Sequence, residues 1–448
     1  MTQPKARFGT DGIRGKAGTP PITIPVARRL GQCVGTILAA NTDASSLVLI
    51  GRDTRASGPE FEAAIADGLN SVGIDAGLLG VAPTPAVASL VAQGPARAGI
   101  VISASHNPFE DNGFKLFDDQ GCKLGAETEA QIEAALNADV PPLAAPKAGV
   151  RRPMDDLRSV YAAMLKDSLG ADTSFAGLRI VLDAANGAAY EIAPQVLRDL
   201  GADLSVIGAD PDGKNINKNC GSTHTAALKV AVRSMGAQIG IALDGDADRC
   251  LLVDEAGHEI DGDQILAALA RDMAANAALK GGGLVSTVMS NLGLERHLEA
   301  AGLSLVRTPV GDKHVARAMR AGGFNLGGEP SGHIILSDQG PSGDGLLAAI
   351  RCVQAMLRQD APASEAFNVF PPLPQVLINV RYGAADPLQT RAVTDAVAAA
   401  ETSLGTRGRL LVRKSGTEPL IRVMVEAEDR ALAEATAERL AAAIRSVG

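Results

Sequence analysis

Ser105 lies in a polar stretch between two strand-like apolar runs, residues 99–102 and 114–117. The residues between them, 103–113, are called the serine loop here; their Asn-Pro and Asp-Asn-Gly sequences predict tight turns. A serine hydroxyl at the end of a strand, followed directly by His106, can act as a nucleophile or carry a phosphoryl group. The alternative is that Ser105 only hydrogen-bonds the turn, as serines do in many loops. The serine loop alone leaves both interpretations open.

Three aspartates alternate along residues 244–249, the acidic loop, between two further apolar runs: Asp244, Asp246 and Asp248. Converging carboxylates repel one another unless a cation neutralises them, and oxygen ligands favour Mg²⁺ or Ca²⁺ over zinc. The acidic loop therefore predicts a divalent metal site.

Two other kinds of protein use similarly spaced aspartates. An EF-hand calcium loop would place the three aspartates and Glu255 at liganding positions, but it requires glycine where Arg249 stands and helices on both sides. A phosphatase with an aspartate nucleophile also carries paired aspartates after a strand. Such a phosphatase would leave the serine loop unexplained, so the metal site is the favoured interpretation.

Residues 328–333, the glutamate loop, place Glu329, Ser331 and His333 between two more strand-like runs. A carboxylate, a hydroxyl and an imidazole close together can hydrogen-bond the vicinal hydroxyl groups of a sugar. The alternative is a glycine-rich hairpin with incidental polar side chains.

A fourth polar segment, residues 413–419, is called the basic loop. With one arginine that follows it, its candidate anion ligands are Arg413, Lys414, Ser415, Gly416, Thr417 and Arg422. Backbone N–H groups of a glycine-containing turn, hydroxyl groups and guanidinium groups can surround a phosphate. A solvated basic turn is the alternative, but a local basic cluster is informative in a chain with a net charge of -9.

The elements that must position these loops alternate along the chain. Strand-like runs at residues 47–50, 179–184, 240–243, 283–287 and 303–308 are separated by segments with helical spacing. This alternation predicts parallel α/β sheets. A length of 448 residues allows roughly three domains of about 150 residues each, with room for smaller ones.

Two segments have the composition of linkers. Residues 137–153 are rich in alanine and proline and precede a helix predicted to begin near residue 154, and residues 368–374 are rich in proline. The residues after 374 are predicted to form a small α/β unit.

Composition limits the classes of partner and compartment. A net acidic chain with a pI near 5.3 is not attracted to nucleic acid or to anionic membranes, so neither is expected as a partner. Five scattered cysteines without metal-site or redox spacing are typical of reduced thiols in a cytoplasm. The first residues lead into a polar glycine-rich loop, and no run of about 18 apolar residues occurs, so we expect a soluble cytoplasmic protein without a secretory signal.

The four loops occur in order along the chain, and their sequences are Ser-Ala-Ser-His-Asn-Pro (103–108), Asp-Gly-Asp-Ala-Asp-Arg (244–249), Gly-Glu-Pro-Ser-Gly-His (328–333) and Arg-Lys-Ser-Gly-Thr-Glu-Pro (413–419). Together they resemble the motifs of the α-D-phosphohexomutase family over essentially the whole chain. The resemblance implies four domains around a central cleft, three of related mixed α/β topology and a smaller C-terminal α+β domain. The expected boundaries are 1–152 for the phosphoserine loop, 153–255 for the metal loop, 256–370 for the sugar-binding loop and 371–448 for the phosphate-binding loop.

The same resemblance implies roles for the loop residues. Ser105 would be a phosphoserine, and Mg²⁺ would be held by Asp244, Asp246, Asp248 and a phosphoserine oxygen. The residues expected to contact the transferring group or to move the sugar's proton are Arg14, His106, Lys115 and Arg249. The residues expected to bind the sugar or its distal phosphate are Glu329, Ser331, His333, Arg413, Ser415, Gly416, Thr417 and Arg422. Lys313 or His314 could also reach the sugar, although the start of a surface helix explains them equally well.

Three further motifs, at residues 8–15, 215–224 and 260–266, resemble the family members that act on an amino sugar. They imply interconversion of glucosamine 6-phosphate and glucosamine 1-phosphate through a 1,6-bisphosphate, which supplies amino-sugar nucleotide and cell-wall precursor synthesis. The implied partners are this hexosamine phosphate and its bisphosphate, and a homodimer is compatible with the resemblance. Pro330 departs from the pattern, because amino-sugar members more often carry glutamine or asparagine there. A phosphoglucomutase or phosphomannomutase, and a non-catalytic sugar-phosphate sensor, therefore remain alternatives.

Overall fold

The computed structural model describes residues 5–39, 46–138, 145–383, 386–414 and 420–447. Within it the chain forms two compact units. The first unit comprises residues 1–287 and 308–369, and the second comprises residues 288–307 and 370–448. No helix of the described residues is long and apolar enough to span a membrane.

The N-terminal part of the first unit is built on a six-stranded sheet. Its strands are β1 (Ile13–Lys16), β2 (Leu47–Arg52), β3 (Asp75–Val81), β4 (Ala98–Ile102), β5 (Asp111–Phe117) and β6 (Arg151–Pro153). The helices in this part are α1 (Ile24–Val34), continued by a π-helical turn (Gly35–Ala39), α2 (Gly58–Ser71), α3 (Thr84–Gln93), α4 (Ala126–Asn137) and α5 (Asp156–Asp167). The strand order is β1-β5-β4-β2-β3-β6.

Alternating residues of β2 show why this sheet is covered on both faces. Val48 and Ile50 pack into one buried cluster with residues of α1 and α2, whereas Leu47 and Leu49 pack into another with residues of α3. A strand that is buried on both faces needs apolar side chains at consecutive positions, and residues 47–50 have this pattern in the sequence.

A second sheet follows in the first unit. Its strands are β7 (Arg179–Asp183), β8 (Asp203–Ile207), β9 (Ile239–Leu243), β10 (Cys250–Asp254) and β11 (Glu259–Ile260), in the order β11-β10-β9-β7-β8. Its helices are α6 (Ile192–Asp199) and α7 (Ala226–Met235). The order β10-β9-β7-β8 repeats the order β5-β4-β2-β3 of the first sheet, with the same strand directions. The expected related topology is therefore present in these two sheets.

The third part of the first unit begins with α8 (Gly262–Ala275) and β12 (Gly283–Thr287). The chain then passes through α9 (Leu292–Ala300) and β13 (Ser304–Thr308), which lie in the second unit up to residue 307. It returns through α10 (Asp312–Gly322), β14 (Leu326–Gly328), β15 (Ile334–Leu336), α11 (Gly345–Gln359) and α12 (Ala363–Ala366). β14 pairs parallel to β12 and antiparallel to β15.

The second unit contains a three-stranded antiparallel sheet in its C-terminal part. Its strands are β16 (Gln375–Arg381), β17 (Gly408–Lys414) and β18 (Leu420–Ala427), in the order β16-β18-β17. Its helices are α13 (Arg391–Leu404) and α14 (Arg430–Val447), with 3₁₀ turns at Pro387–Gln389 and Gly405–Arg407. This small α/β arrangement confirms the prediction for the residues after 374.

The parallel pairing predicted from the sequence is present, for example between β2 and β4, but the sheets also contain antiparallel pairs. The strands on either side of the serine, acidic and glutamate loops pair antiparallel: β4 with β5, β9 with β10 and β14 with β15. A short connection can join antiparallel neighbours, whereas parallel neighbours need a long crossover. Each of these loops is therefore the turn of a hairpin whose first strand pairs parallel with another strand of its sheet.

Two local predictions also need correction. Residues 137–153 were expected to be a linker, but Arg151–Pro153 form β6 and pair parallel with β3 at the sheet edge. Residues 139–144 of that segment lie outside the described residues. β5 begins at Asp111 rather than at 114, because Asp111 and Asn112 already pair with Lys16 and Gly15 of β1.

Candidate active site

Ser105 is fully buried at the end of β4 and adopts a positive φ of 51°. A non-glycine residue in this region costs on the order of 1 kcal/mol, so the surrounding contacts must hold it there. The Ser105 hydroxyl donates to Oδ2 of Asp244 at 2.6 Å, and its oxygen lies 3.3 Å from Nδ1 of His106. The backbone N–H of Ser105 donates to the Ser103 hydroxyl oxygen at 2.9 Å. The hydroxyl is thus held against the first aspartate of the acidic loop.

Arg55 holds the backbone of the serine loop in place. Its guanidinium donates to four carbonyl oxygens of this segment, those of Ser105 (2.9 Å), Asn107 (2.8 Å), Pro108 and Asp111 (3.0 Å). The Arg55 side chain is completely buried, as is its ion-pair partner Asp53, whose Oδ2 accepts from Arg55 Nε at 2.8 Å. Asp53 Oδ2 also accepts from the Ser103 hydroxyl at 2.7 Å. We call Asp53 and Arg55 the buried clamp.

The buried clamp was not identified from the sequence. The segment 51–55 reads only as a polar loop between a strand and a helix. What could have identified the clamp is its position directly after β2, because β2 is the neighbour of β4 in the sheet. Parallel neighbouring strands end at the same edge of a sheet, so residues after β2 and after β4 must meet there.

The acidic loop places its three aspartates in one cluster. Carboxylate oxygens of Asp244, Asp246 and Asp248 all lie within 4.8 Å of one another and are buried. Oδ1 of Asp246 and Oδ1 of Asp248 are buried without a hydrogen-bond partner among the described residues. An unpaired buried carboxylate oxygen is costly unless a cation binds it, so these residues fit a hard divalent cation with oxygen ligands.

The backbone of the acidic loop lies directly against the serine loop. A Cβ at Gly245 would lie 2.6 Å from the carbonyl oxygen of Ser105, so a side chain at this position would force the loops apart. Burial, with the charges of Asp248 and Asp246, raises the pKa of Asp244 to about 8. Without a cation, the cluster therefore favours a proton on the carboxyl group that accepts from Ser105.

Lys115 supplies positive charge from β5. It is 1% exposed, and its Nζ lies 2.6 Å from Asp246 Oδ2, 2.8 Å from Asp248 Oδ2 and 3.0 Å from Asp11 Oδ2. Burial alone would lower the pKa of Lys115, but Asp11, Asp246 and Asp248 raise it well above its usual value. Lys115 is therefore a cation in this structure.

Asp11 connects Lys115 to further cations that the sequence did not link to it. Asp11 forms ion pairs with Arg14 and with Lys123, and Lys123 also pairs with Asp312. Arg14 additionally donates from Nη1 to the carbonyl oxygen of Ala104 at 3.4 Å. Arg14 thus lies next to Ser105, as the resemblance implied.

The imidazole of His106 is surrounded by positive charge. Burial, with Arg249 and Arg14, lowers the pKa of His106 to about 4, so the ring is neutral near pH 7. The backbone N–H of Arg249 donates to Asp244 Oδ1 at 3.2 Å, and its Nε lies 3.8 Å from Asp248 Oδ1. The structure therefore brings all four predicted residues, Arg14, His106, Lys115 and Arg249, to the serine and acidic loops.

The glutamate loop packs against the strand that follows the acidic loop. The backbone N–H of Cys250 donates to the Gly332 carbonyl oxygen at 2.9 Å, and a Cβ at Gly332 (φ 88°) would lie 2.1 Å from the Cys250 carbonyl oxygen. His333 is buried, and its Nδ1 lies 3.6 Å from Asp248 Oδ1. The structure therefore places the glutamate loop, which is predicted to bind the sugar, beside the acidic cluster.

Glu329 and Ser331 lie at the turn of the glutamate hairpin. Glu329 Oε1 accepts from the backbone N–H of Gly311 at 3.1 Å, and Ser331 is exposed. Lys313 and His314 lie in the first turn of α10, which confirms the helix start. Lys313 Nζ lies 3.4 Å from Glu129 Oε2.

In the second unit, two arginines face each other beside the basic loop. Arg413 of β17 and Arg422 of β18 are register partners, and Nε of Arg422 is buried without a hydrogen-bond partner among the described residues. Burial, and then the charge of Arg422, lower the pKa of Arg413. Two adjacent guanidinium groups with an unpaired donor fit an anion. The predicted ligands Ser415, Gly416 and Thr417 lie outside the described residues.

Asp344 should make the free energy of unfolding depend on pH. It caps α11, its Oδ1 accepts from Leu347 N at 2.9 Å, and its Oδ2 accepts from the Tyr161 hydroxyl at 2.7 Å. Burial raises the pKa of Asp344 from 3.8 to about 6, so its ionised form destabilises the fold as pH rises from about 4 to 6 and the full cost remains above pH 6. Asp344→Asn should therefore raise the free energy of unfolding at pH 8 by up to about 3 kcal/mol, with a gain that shrinks as pH falls towards 4. Urea titrations at pH 4.5, 6 and 8 measure this.

The exposed Asp155 provides the control, because it is an aspartate at the start of α5, the helix that carries Tyr161, but its side chain is 72% exposed. Asp155→Asn replaces a carboxylate that is not buried, so it should not give the gain in the free energy of unfolding at pH 8. A gain in Asp344→Asn that does not vary with pH would contradict the assignment.

Proteins of one family are similar to this chain along nearly its whole length. Four family models, described as Phosphoglucomutase/phosphomannomutase, match the chain: alpha/beta/alpha domain I at residues 5–141, domain II at 159–257, domain III at 261–373 and the C-terminal domain at 377–443. A protein named phosphoglucosamine mutase, from Novosphingobium aromaticivorans, is 50% identical over 438 residues, which is 98% of each chain.

Two solved structures are similar to the chain. A phosphoglucomutase/phosphomannomutase family protein from Burkholderia thailandensis has a TM-score of 0.83 and 25% identity, covering 100% of this chain and 98% of that one. The N-acetylphosphoglucosamine mutase of Aspergillus fumigatus, solved with GlcNAc-6P and magnesium, has a TM-score of 0.65 and 22% identity, covering 99% of this chain and 96% of that one. The second similarity concerns the fold alone.

Proposed function

The chain belongs to the phosphoglucomutase/phosphomannomutase family, and we propose that it interconverts glucosamine 6-phosphate and glucosamine 1-phosphate. The observation that carries this proposal is the buried hydroxyl of Ser105, held 2.6 Å from Asp244 of a three-aspartate cluster and surrounded by cations. The amino-sugar substrate is supported by the phosphoglucosamine mutase that is 50% identical over nearly the whole chain. The enzyme would be an isomerase that supplies amino-sugar nucleotide and cell-wall precursor synthesis.

The reaction proceeds in two transfers through Ser105. In the first, the bond between phosphorus and Ser105 Oγ breaks, a bond to the sugar's 1-hydroxyl oxygen forms, and that hydroxyl loses its proton. The resulting glucosamine 1,6-bisphosphate reorients, and its 6-phosphoryl group returns to Ser105 Oγ while O6 regains a proton. Ser105 carries a phosphoryl group again, and glucosamine 1-phosphate is released.

Mg²⁺ is the proposed cation of the acidic cluster. Asp244, Asp246 and Asp248 offer only oxygen ligands, two of which are buried and unpaired. The fold relative from Aspergillus fumigatus was solved with magnesium. When bound, the ion offsets negative charge on the transferring phosphoryl group.

The chain's own cations add positive charge beside Ser105 and the acidic cluster. Phosphoryl transfer depends mainly on positioning and charge stabilisation, and Lys115, Arg14 and Arg249 supply positive charge beside Ser105. His106 is neutral near pH 7, and its Nδ1 lies 3.3 Å from the Ser105 oxygen, so it can accept or donate a proton there. Lys115, which three carboxylates hold as a cation, acts through its charge.

The remaining loops bind the substrate. Glu329 and Ser331 are proposed to hydrogen-bond the sugar hydroxyls, with His333 beside them. Arg413, Ser415, Gly416, Thr417 and Arg422 are proposed to hold the phosphate that is not being transferred, which the unpaired Nε of Arg422 supports. The domain boundaries at 152, 255 and 370, the cytoplasmic location, the homodimer and the lack of nucleic-acid and membrane partners stay predictions.

The substrate is tested by comparing kcat/KM for glucosamine 1-phosphate, glucose 1-phosphate and mannose 1-phosphate on the same purified enzyme. We expect glucosamine 1-phosphate to be favoured by at least about tenfold, because glucose and mannose carry a neutral hydroxyl where glucosamine carries an ammonium group, and a site that binds the charged donor loses a charge-assisted hydrogen bond. Faster conversion of glucose 1-phosphate or mannose 1-phosphate would instead assign the chain to phosphoglucomutase or phosphomannomutase activity. The variant Pro330→Gln, assayed in parallel, measures whether the one departure in the glutamate loop changes this preference.

A further inference from the structure

The first unit contains a large cavity lined mostly by residues to which the proposed reaction assigns no role. Its volume is about 860 Å³, and it lies between residues 118–126, α10 and residues 335–343. Neither Ser105, the three aspartates of the acidic loop, Glu329 nor Ser331 lines it. Small-molecule sites in proteins have volumes of about 300 to 1,000 Å³, so the cavity is large enough for a ligand.

More cations than carboxylates line this cavity, although the chain as a whole is acidic. Four of its lining residues are cations, Lys123, Lys313, Arg317 and Arg320, and two are carboxylates, Asp118 and Asp312. The chain as a whole has a net charge of -9. A local excess of positive charge on an acidic protein attracts anions to this position.

The four cations are not equally available. Lys123 is paired with Asp11 and Asp312, and Lys313 lies 3.4 Å from Glu129. Arg317 is exposed and has neither an ion pair nor a hydrogen bond within the described part of the chain. Arg320 is also exposed and donates from Nη1 to the Cys122 sulfur at 3.4 Å, which is a weak acceptor. Arg317 and Arg320 can therefore bind an anionic group without breaking an existing ion pair.

One buried polar atom of the lining also lacks a partner. Nε2 of His333 has no hydrogen bond within the described residues, and it lies 3.5 Å from Asp312 Oδ2. The His333 side chain is only 5% exposed, and its ring is part of the cavity lining. An unpaired buried nitrogen is costly, so a ligand that hydrogen-bonds it would remove that cost.

The rest of the lining is mixed, with the polar side chains Gln120, His314, Ser337 and Ser342 beside an aliphatic surface. Leu124, Met319, Ile335 and Pro341 form that aliphatic surface. It offers no hydrogen-bond partner to the hydroxyl groups of a second sugar phosphate that packs against it. A ligand with an apolar or aromatic body fits the surface better.

We propose that this cavity binds a small amphipathic anion, in which a phosphate, sulfonate or carboxylate is attached to an apolar or aromatic group. Arg317 and Arg320 bind the anionic group, and the apolar group packs against Leu124, Met319 and Pro341. The cavity shares His333 with the glutamate loop, and no other proposed substrate ligand among the described residues lines it, so the proposal does not depend on which sugar phosphate is the substrate.

The probe for this site is 1-anilinonaphthalene-8-sulfonate, an aromatic sulfonate whose fluorescence rises in apolar surroundings. Titrated into the full chain, it should bind saturably, and the double variant Arg317→Ser/Arg320→Ser should weaken Kd by about tenfold or more. The matched control is Arg391→Ser/Arg445→Ser, which removes two exposed arginines from the second unit and should leave Kd unchanged. N-phenyl-1-naphthylamine, which has the same rings without the sulfonate, should bind more weakly to the wild type.

Three outcomes would overturn the proposal. Equal Kd values in wild type and in Arg317→Ser/Arg320→Ser would exclude the arginines, and equal binding of the uncharged probe would exclude an anion site. Displacement of the sulfonate by glucosamine 6-phosphate would place the probe in the substrate loops. Thermal unfolding of every variant shows whether that variant is folded when the probe is added. Turnover of sugar phosphates is measured separately, so the proposed anion site and the proposed function can fail independently.

Discussion

Replacing Ser105 with alanine is expected to lower kcat by at least about 10⁴-fold, which is the order of effect of removing a group that forms a covalent intermediate. The Ser105 hydroxyl is buried and donates to Asp244 at 2.6 Å, so alanine removes the oxygen atom that lies against the acidic cluster. Turnover is measured with purified protein, Mg²⁺ and glucosamine 1,6-bisphosphate as primer. Intact-mass spectrometry should find one phosphate on the wild type and none on Ser105→Ala.

Ser103 is the matched control, because it is a buried serine two residues away in the same loop. Its hydroxyl donates to Asp53 and accepts from the Ser105 N–H, so Ser103→Ala removes a supporting contact and leaves the phosphoryl acceptor in place. We expect this variant to retain phosphate and measurable turnover. Undiminished activity of Ser105→Ala would refute the proposed donor. Fully phosphorylated wild-type protein without turnover would favour a sugar-phosphate sensor.

Arg55→Lys is expected to lower kcat by about 10²-fold while KM changes little. The guanidinium of Arg55 reaches four carbonyl oxygens around Ser105, and a lysine ammonium has a single nitrogen that cannot reproduce this fork. Carbonyl groups that lose their donor would shift the serine loop, and a displacement of about 1 Å at a reacting group can cost about 10²-fold in rate. Arg55 touches the loop backbone and acts by positioning Ser105, so the loss should appear in kcat.

Arg52→Lys provides the control, because Arg52 lies three residues away, is partly exposed and approaches Glu62 only at 3.4 Å. It should keep kcat within about twofold of the wild type, since lysine keeps the positive charge beside Glu62 and the hydrogen bonds of Arg52 go to Glu62 and to the Asp53 carbonyl rather than to the serine loop. Thermal unfolding and intact mass are recorded for both variants. If Arg55→Lys loses activity only in proportion to the loss of folded protein, Arg55 has a purely structural role. A normal melting temperature with a low kcat and incomplete phosphorylation of Ser105 supports positioning.

The amino-acid sequence by itself determined the strands, the polar loops and the type of chemistry that each loop can perform. Runs such as residues 47–50 and 240–243 are apolar because strands covered on both faces need apolar side chains at every position. Asp244, Asp246 and Asp248 indicate a metal site because closely spaced carboxylates rarely occur buried for any other reason. These signals are local, and so a reader of the sequence can find them.

Only the tertiary structure decided which distant residues meet. Lys115 binds Asp246 and Asp248 from more than 130 residues away, and Asp11 joins Lys115 to Lys123. The buried clamp looked like an ordinary polar loop, because Asp53 and Arg55 acquire their function from a hydroxyl group and carbonyl groups 50 or more residues later in the chain. The strand directions at the loops, and the pairing of Arg151–Pro153 as an edge strand, likewise depend on neighbours that periodicity does not reveal.

The physical reason is the same in each case. A buried charge or carbonyl must be paired, but the sequence does not say with which partner, since every candidate of the right type satisfies the same local pattern. Ser105 therefore stands out in the sequence as a residue that could carry a phosphoryl group. Its burial, its positive φ and its contact with Asp244 follow only when β4, β9 and the loop after β2 come together in the folded chain.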